Sequence, residues 1–298
     1  MKKNKTHHQL ALSDFFFLGK IGLMASSALL LAHSFTFAEA PSSLFPDITK
    51  FKLEFPLSDD GKDYRGVGYN DRSNPKIKNA SVKELKGYEA PVPFNHYFFA
   101  EGKEMVFRAH CAGALTSPNA YPRCELRQQI KGKDTFWDYS NEHELNVTLK
   151  ITHLPEKKQE VCVVQLKGTN TPETTSGTSE VLRVEYRQDG GDGWHLEVNE
   201  SSGPKNVLKY QLGQSVNIHV HVNEDVVTLK MHNLDNGDTY STTYKSEFSS
   251  GYFKAGAYTQ SSIWSKKTKQ EAEKPDAYSE VRFSKFNLKS DSTAPINP

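Results

Sequence analysis

The sequence predicts an all-β protein, a β-jelly roll in which two antiparallel sheets form a sandwich with a concave cleft on one side. Two observations predict this fold. From Phe51 onward, short runs of alternating apolar and polar residues are separated by turn-forming sequences at Gly190–Gly193, Ser202–Pro204 and Asn236-Gly237. No long segment has the helical periodicity of about 3.6 residues. Many short strands without long helices are typical of sandwiches and jelly rolls.

The predicted strands follow one another along a single domain, residues 45–290, in which we find neither an internal repeat nor an interdomain linker. One short helix is predicted near Ser81–Lys86. Two stretches without periodicity, Thr169–Ser179 and Ser265–Asp276, predict loops that either cover a cleft or are simply solvated. The clearest strands are Glu104–His110, His143–Thr152, Val161–Lys167, Glu180–Arg187, Trp194–Asn199, Ser215–Val222, Val226–His232 and Glu280–Leu288.

Both ends of the chain are expected to lie outside this domain. Three lysines near the N-terminus precede an apolar run, Ile21–Leu31, and small residues follow at Ala38 and Ala40. This order is typical of a secretory signal peptide. We predict that residues 1–38 are removed after Ala38, which makes the protein secreted or periplasmic with no membrane contact after cleavage. An uncleaved anchor is the alternative. The tail, residues 291–298, is expected to be disordered.

The charge balance and the cysteines narrow the function classes. Removing residues 1–38, which carry four lysines and one aspartate, leaves 33 basic and 35 acidic residues, a net charge of −2. No global basic field exists, so nucleic acid is not the expected partner. Cys111, Cys124 and Cys162 predict one disulfide and one free thiol, with Cys111–Cys124 slightly preferred over Cys124–Cys162. No Cys/His cluster has zinc spacing, and His219 with His221 favours a solvated strand face, so neither a metal nor a cofactor is expected.

The first of three polar strand segments is Arg123–Gln128. Alternate side chains of a strand share a face, so Arg123, Glu125 and Arg127 form one row, while Cys124 and Leu126 point into the core. A cation–carboxylate–cation row suits a polymer of carboxylates, because arginine can bind a carboxylate through two hydrogen bonds. Taken alone, such a row is more often a solvated sheet face.

The second segment, Val161–Gly168, places Val163, Gln165 and Lys167 on one face and the intervening residues, Cys162 among them, on the buried face.

The third segment, Gly251–Gln260, has a longer polar row. Gly256 would leave room for a sugar ring to approach the backbone. This row is typical of a floor that binds sugars and transfers protons, and it consists of Tyr252, Lys254, Gly256, Tyr258 and Gln260.

Together and in this order, the three segments resemble polysaccharide lyase family 7, the alginate lyases. The family patterns are Arg-(Ser/Thr)-Glu-(Leu/Val)-Arg, Gln-(Ile/Val)-His and Tyr-Phe-Lys-Ala-Gly-(Val/Ile)-Tyr-Asn-Gln. The third match is nearly complete, and the resemblance covers about residues 45–290. The second motif departs, because Lys167 stands where the family has its catalytic histidine. The resemblance implies a concanavalin-like jelly roll that binds an anionic polysaccharide and cleaves a 4-linked uronate by β-elimination.

The resemblance also implies roles for individual residues. Gln165 with Arg123 or Arg127 would neutralise the uronate carboxylate, with Lys167 as a helper. Tyr258 would transfer the proton. Its phenol has an ordinary pKa near 10, so we expect nearby cations, Lys254 and Lys167, to lower that pKa. The residues expected to bind substrate are Arg127, Glu125, Lys254, Tyr252 and Gln260.

The missing histidine has a stereochemical consequence. In mannuronate the C5 proton and the leaving O4 lie on the same side, so one tyrosine can serve as base and then as acid. Guluronate needs a second group on the opposite side, and a protonated Lys167 is a poor base. We therefore predict syn elimination and a preference for mannuronate. We also expect the enzyme to be a monomer. The alternatives are a lyase of glucuronan or another uronan, a non-catalytic uronan-binding jelly roll, and a glycoside hydrolase. A glycoside hydrolase would need two catalytic carboxylates, and the only acidic residue in the three rows is Glu125.

Overall fold

The computed structural model describes residues 39–63, 78–115, 121–171, 179–188, 194–200, 203–263 and 273–290. The predicted signal peptide and tail lie outside these residues, as do residues 172–178 and 264–272 of the two predicted loops and the predicted turn at 190–193. None of the described helices is long and apolar enough to cross a membrane.

The described chain consists mainly of antiparallel strands. A short helix, α1 (Pro41–Leu44), and two 3₁₀ turns at Pro46–Lys50 and Phe94–His96 complete it. The strands are β1 (Phe51–Glu54), β2 (Ser81–Val82), β3 (Phe98–Glu101), β4 (Glu104–His110), β5 (Arg123–Gln128), β6 (Trp137–Asp138), β7 (His143–His153), β8 (Glu160–Thr169), β9 (Ser179–Gln188), β10 (Trp194–Glu200), β11 (Gly203–Lys209), β12 (Ser215–Asn223), β13 (Val226–Asn233), β14 (Thr239–Lys245), β15 (Ser250–Thr259) and β16 (Tyr278–Ser290).

These strands form two antiparallel sheets, which confirms the predicted jelly roll. The front sheet has the order β11-β10-β9-β8-β15-β5-β1-β2, with β6 also paired to β15. The back sheet has the order β14-β13-β12-β7-β16-β4-β3. Apolar side chains from both sheets meet in one core, in which Phe107, Phe283 and Phe286 pack ring against ring. Strands β5, β8 and β15, which carry the three polar segments, are therefore neighbours in the front sheet.

The eight strands predicted above are all present, with ends within two residues of the prediction. Their burial alternates as expected: in β12 the apolar residues from Val216 to Val222 are buried and the residues between them are partly exposed. At Asn236-Gly237 a turn joins β13 to β14, and Gly237 has the positive φ of +83° that such a turn requires. Of the expected turn at Ser202–Pro204, Ser202 lies outside the described residues, while Gly203 and Pro204 already belong to β11 and pair with β10.

The predicted helix near Ser81–Lys86 is wrong. Ser81 and Val82 form the short strand β2, whose partners across the sheet are Glu54 and Leu53 of β1. A segment of six residues is too short to form a stable helix alone, because the first helical turn is costly to nucleate. Pairing with an existing sheet edge is therefore the better use of its backbone groups.

The predicted disulfide is also wrong. Cys111, Cys124 and Cys162 are free thiols, and all three are buried. Burial raises the pKa of each thiol above its ordinary value. Cys124 lies among the core residues between the sheets and donates to the backbone oxygen of Tyr97 at 3.3 Å. These thiols fill space in the fold instead of linking parts of the chain.

Candidate active site

The polar face of the front sheet carries a row of side chains that runs across five strands. Residues paired directly across antiparallel strands place their side chains on the same face. Lys254 of β15 pairs with Gln165 of β8 on one side and with Arg127 of β5 on the other. The row continues to Arg183 of β9 and to Lys52 of β1. We call these five residues the Lys254 row; it brings four cations and one amide together from strands far apart in sequence.

A second row lies beside the first. Tyr258 of β15 pairs with Arg123 of β5 and with Cys162 of β8, which in turn pairs with Glu185 of β9. We call these four residues the Tyr258 row. The structure thus brings the three polar segments onto one surface, as alternation predicted.

A β-bulge corrects the predicted orientation of Cys162. Between Cys162 and Val164 the register of β8 shifts against both neighbouring strands. Val163 is an extra residue relative to β9, whereas β15 has two residues, Gly256 and Ala257, opposite Val163. As a result Cys162 lies on the polar face beside Tyr258, while Val163 belongs to the core. The prediction had these two residues reversed, because strict alternation cannot anticipate a bulge.

The bulge also explains Gly256, which pairs with Glu125 of β5. A Cβ atom on Gly256 would lie 2.5 Å from the backbone oxygen of Cys124 and 2.8 Å from the Cα atom of Glu125, and its φ is +149°. The space above Gly256 is therefore taken by the backbone of β5. The prediction that a sugar ring uses this space is corrected: the glycine is required for two strands to approach closely.

Glu125 is the centre of the polar network. Its side chain is 0% exposed. Arg123 Nη1 lies 3.1 Å and Lys254 Nζ 2.7 Å from its Oε2, and the Gln165 amide donates to its Oε1. Such a carboxylate holds two cations and an amide in fixed positions. Of the two arginines of β5, Arg123 binds Glu125, whereas Arg127 lies 3.4 Å from Asp134.

A second buried carboxylate, Glu54, supports the same lysine. Lys254 Nζ lies 3.0 Å from Glu54 Oε2, and Lys52 lies 3.5 Å from its other oxygen. Burial favours the neutral acid, but the coulombic effects of Lys254, Arg123 and Lys52 prevail and lower the pKa of Glu54 to about 2. Lys254 keeps a raised pKa although burial and Arg123 oppose its charge, because Glu125 and Glu54 stabilise the ammonium.

Tyr258 is covered by a guanidinium. The Arg123 Cζ atom lies 3.7 Å from the centre of the Tyr258 ring, and the residue is only 7% exposed. Burial raises the pKa of Tyr258, and Arg123 is the largest opposing influence, followed by Arg183 and Lys254; Glu125 adds to the rise. The net pKa lies above the ordinary value. The expected lowering by Lys254 is present but insufficient, and Lys167 is not among the main influences on this pKa. The resting Tyr258 is therefore a neutral phenol.

A second tyrosine is covered in the same way. Arg127 Cζ lies 4.0 Å from the ring centre of Tyr252, and the ring centre of Phe136 lies 5.6 Å from the same ring. Arg127 also donates to the backbone oxygen of Gln128 at 3.2 Å. Each of the two arginines of β5 thus covers one of the two tyrosines of β15, but only the Arg123–Tyr258 pair adjoins Glu125.

Lys167, at the family's histidine position, is engaged by a carboxylate. It pairs across the sheet with Tyr252, and its Nζ atom lies 3.1 Å from Glu180 Oε1 of β9. Glu180 also lies 3.4 Å from Arg183 Nη1. Lys167 therefore forms an ion pair with Glu180, on the same face of β8 as Gln165.

Gln260 is connected at both ends of its amide. Its Oε1 accepts from Arg183 Nη2 at 2.8 Å, and its Nε2 donates to the backbone oxygen of Tyr258 at 3.0 Å. It therefore joins β9 to the end of β15.

Sequence reasoning missed five charged residues of this surface. Period-two spacing of charges within two strands would have indicated most of them, since Lys52 alternates with Glu54, and Arg183 with Glu185. The missed residues are Lys52, Glu54, Glu180, Arg183 and Glu185.

Within the described part of the chain, no cluster of His, Cys, Asp and Glu suits a metal ion. His219 and His221 face Glu144 and Glu142 on the back sheet, away from the polar rows.

Comparisons with known proteins agree on the fold. A family model described as alginate lyase matches residues 46–290. The alginate lyase AlgAT5 of polysaccharide lyase family 7 is 27% identical, with a TM-score of 0.60 over 84% of this chain and 98% of that one. An alginate lyase from Corynebacterium sp. is 22% identical, with a TM-score of 0.62 over 85% of this chain and 98% of that one. A variant of the family 7 alginate lyase A1-II′ in complex with a substrate written GGMG is 19% identical, with a TM-score of 0.57 over 85% and 97%. Among curated protein sequences, no match is found.

Proposed function

Because the chain belongs to the family of alginate lyases and is a polysaccharide lyase, we propose that it cleaves alginate by syn β-elimination, at mannuronate in preference to guluronate. One observation carries this proposal. Tyr258 lies under the guanidinium of Arg123, and Arg123, Gln165 and Lys254 all converge on Glu125 beside it. A proton-transfer group and preplaced donors for a carboxylate therefore share one site.

The first requirement of the reaction is to neutralise the uronate carboxylate, since the C5 proton is barely acidic otherwise. Arg123 and Gln165 are the groups that we assign to this step, because Glu125 holds both and Arg123 lies over the Tyr258 ring. Arg127 is assigned to binding along the polymer, because it lies beside Tyr252 and Asp134. This choice between the two arginines rests on their partners, which sequence spacing alone could not distinguish.

The second requirement is proton transfer by Tyr258. In the reactive form its phenolate takes the C5 proton, and the electron pair of that bond forms the C4–C5 double bond as the C4–O4 bond breaks. The phenol then gives the proton to O4, which restores the phenolate. Arg123, whose guanidinium lies over the ring, stabilises the phenolate. No second acid or base is needed when the C5 proton and O4 lie on the same side.

The preference for mannuronate follows from Lys167. Anti elimination of guluronate requires a second proton-transfer group, and the family has a histidine at this position. Here Lys167 forms an ion pair with Glu180, and an ammonium held by a carboxylate is a poor base. The observation supports a site in which Tyr258 acts alone.

The test is to assay polymannuronate, polyguluronate and polyglucuronate separately, following the ultraviolet absorbance of the unsaturated product. We expect polymannuronate to be cleaved fastest. Faster cleavage of polyguluronate would contradict syn elimination, and faster cleavage of polyglucuronate would make the enzyme a glucuronan lyase. Binding without any unsaturated product would leave a non-catalytic uronan-binding protein.

A glycoside hydrolase is disfavoured by Glu54. Such an enzyme needs one protonated carboxyl as general acid. The pKa of Glu54 is lowered to about 2, because Lys254, Arg123 and Lys52 outweigh the effect of burial. This carboxyl is ionised at neutral pH and cannot donate a proton.

We also propose that residues 1–38 direct export and that the mature protein acts as a monomer outside the cytoplasm. The support is the order of basic, apolar and small residues at the N-terminus. A polymer substrate is too large to enter cells, which is consistent with an exported enzyme.

A further inference from the structure

Arg183 is a charged residue of the polar surface that the proposed reaction does not yet use. It lies on β9 and pairs across the sheet with Gln165, at one end of the Lys254 row. Its guanidinium contacts Glu185, Glu180 at 3.4 Å and Gln260 Oε1 at 2.8 Å. Its buried Nε has no acceptor among the described residues. A buried donor without a partner is uncommon in a purely structural ion pair.

Arg183 reaches the reacting tyrosine through Gln260. The Gln260 amide accepts from Arg183 at its oxygen and donates from its nitrogen to the backbone oxygen of Tyr258 at 3.0 Å. Arg123 and Arg183 belong to strands on opposite sides of β15, with β8 between β15 and β9. Tyr258 therefore has the Arg123 guanidinium over its ring, and Arg183 lies two strands away in the other direction across the sheet.

We propose that Arg183 is a positioning residue for proton transfer, which holds a second positive charge beside Tyr258 and fixes Gln260 so that the phenolate can form. This inference rests on the proposed function. In this proposal Arg183 helps to stabilise the phenolate of Tyr258, in a site where Lys167 occupies the family's histidine position.

The electrostatic surroundings of Tyr258 support this role. Burial raises the pKa of Tyr258, and Arg183 is among the cations that lower it. Burial lowers the pKa of Arg183, but Cys162, Glu185 and Glu180 outweigh burial and keep that pKa raised, so Arg183 is a permanent cation. The titratable and charged groups that face Tyr258 are Arg123 and Glu125 of β5, Cys162 of β8, Arg183 and Glu185 of β9, and Lys254 of β15.

The experiment compares the pH dependence of kcat and KM on polymannuronate for wild type, Arg183→Met and Arg183→Lys. Loss of the positive charge raises the pKa of Tyr258, so less phenolate forms at any given pH. In Arg183→Met we expect the acidic limb of the kcat profile to move up by about one pH unit or more. Near neutral pH, kcat should then fall roughly tenfold, with KM changed by less than about twofold. Arg183→Lys should recover most of the shift.

Arg187→Met is the matched control, because Arg187 lies on the same strand, binds Glu160 at 2.9 Å and is largely exposed. It should leave the profile unchanged. An acidic limb that does not move in Arg183→Met, a loss confined to KM, or a lysine variant as impaired as the methionine variant would each overturn the inference. If Arg183→Met fails to fold, Arg183→Gln replaces it and the same criteria apply. A wild-type enzyme inactive on every uronan would instead overturn the proposed function.

Discussion

At the scale of single residues, the site depends on which cation binds which carboxylate. Glu125 holds Arg123 and Lys254 in place, and Glu54 holds the same lysine from the other side. By holding these cations, the two carboxylates fix the positive charges that surround Tyr258. Buried ion pairs of this kind contribute less to stability than to geometry, because desolvation offsets much of their attraction.

Tyr258→Phe removes only the hydroxyl oxygen that transfers the proton. We expect kcat on polymannuronate to fall on the order of 10³-fold or more, while binding of an oligomannuronate changes little, since the ring and its contact with Arg123 are kept. Steady-state kinetics and calorimetric binding measure the two effects. Tyr278→Phe is the control, because Tyr278 stacks on His153 in the back sheet and should keep full activity. Retained turnover in Tyr258→Phe would exclude this residue from the chemistry.

Glu54→Gln tests the electrostatic support of Lys254. The pKa of Glu54 in the folded protein is about 2 against an ordinary 4.5, because Lys254, Arg123 and Lys52 overcome burial. A carboxyl with a lowered folded-state pKa contributes stability that is complete above its unfolded pKa and is lost as the pH falls to about 2. We therefore expect the variant to lose about 3 kcal/mol of unfolding free energy at neutral pH.

The same loss should shrink as the pH falls below 4.5, the ordinary pKa of the carboxyl. Denaturant unfolding of wild type and variant at neutral pH and near pH 3 measures this change. Glu156→Gln, at an exposed ion pair with Lys274, should show little difference at either pH. A Glu54→Gln difference that is independent of pH would mean that the lost stability is not electrostatic.

At the scale of elements, strands β5 and β15 combine a polar face with burial on both sides. All residues of Arg123–Gln128 and of Ser250–Thr259 are buried. Such strands tolerate charges only when partners are supplied by neighbouring strands. The close approach of the two strands at Gly256, and the bulge beside it, set the position of Tyr258 relative to Arg123.

Gly256→Ala should therefore damage both stability and activity. The new Cβ atom would lie 2.5 Å from the backbone oxygen of Cys124, at a φ of +149° that alanine rarely adopts. We expect the variant to lose about 2 to 4 kcal/mol of unfolding free energy, with a reduced kcat. Gly213→Ala is the control. The φ of Gly213 is +90°, but no other atom lies within 4 Å of the position of the new Cβ atom. Backbone strain alone should therefore lower the unfolding free energy by about 1 kcal/mol. Equal losses in the two variants would contradict the close-approach argument.

At the scale of the whole molecule, cations and the carboxylates that bind them are concentrated on one surface of a chain that has almost no net charge. The 298 residues carry a net charge of +1, and residues 39–298 carry −2. The polar face of the front sheet nevertheless gathers Lys52, Arg123, Arg127, Lys167, Arg183 and Lys254. Because Glu54, Glu125, Glu180 and Glu185 lie among these cations, the net positive charge of the surface is small. A polyanion is therefore recognised by fixed cations at close range and not by a long-range field.

Export of the protein is tested by the N-terminus of the mature chain. We expect mass spectrometry of the exported protein to give Glu39 as the first residue, because small residues precede it. A cut after Ala40 is not expected, because Pro41 would then lie next to the cleaved bond. Ala38→Leu should impair processing, whereas Ala28→Leu, within the apolar run, should not. A full-length chain retained at the membrane would indicate an uncleaved anchor.

The sequence by itself determined the fold class, the strands and the surface on which the site lies. Period-two alternation can be recognised within one strand, without knowledge of the strands beside it. Arg123, Gln165 and Tyr258 could therefore be assigned to polar faces from local spacing alone. Only the tertiary structure decided that Lys167 pairs with Glu180, that Arg127 leaves Glu125 for Asp134, and that Cys162 turns to the polar face. These features depend on the register between strands far apart in the chain. A single bulge changes that register and reverses the faces of the residues beside it.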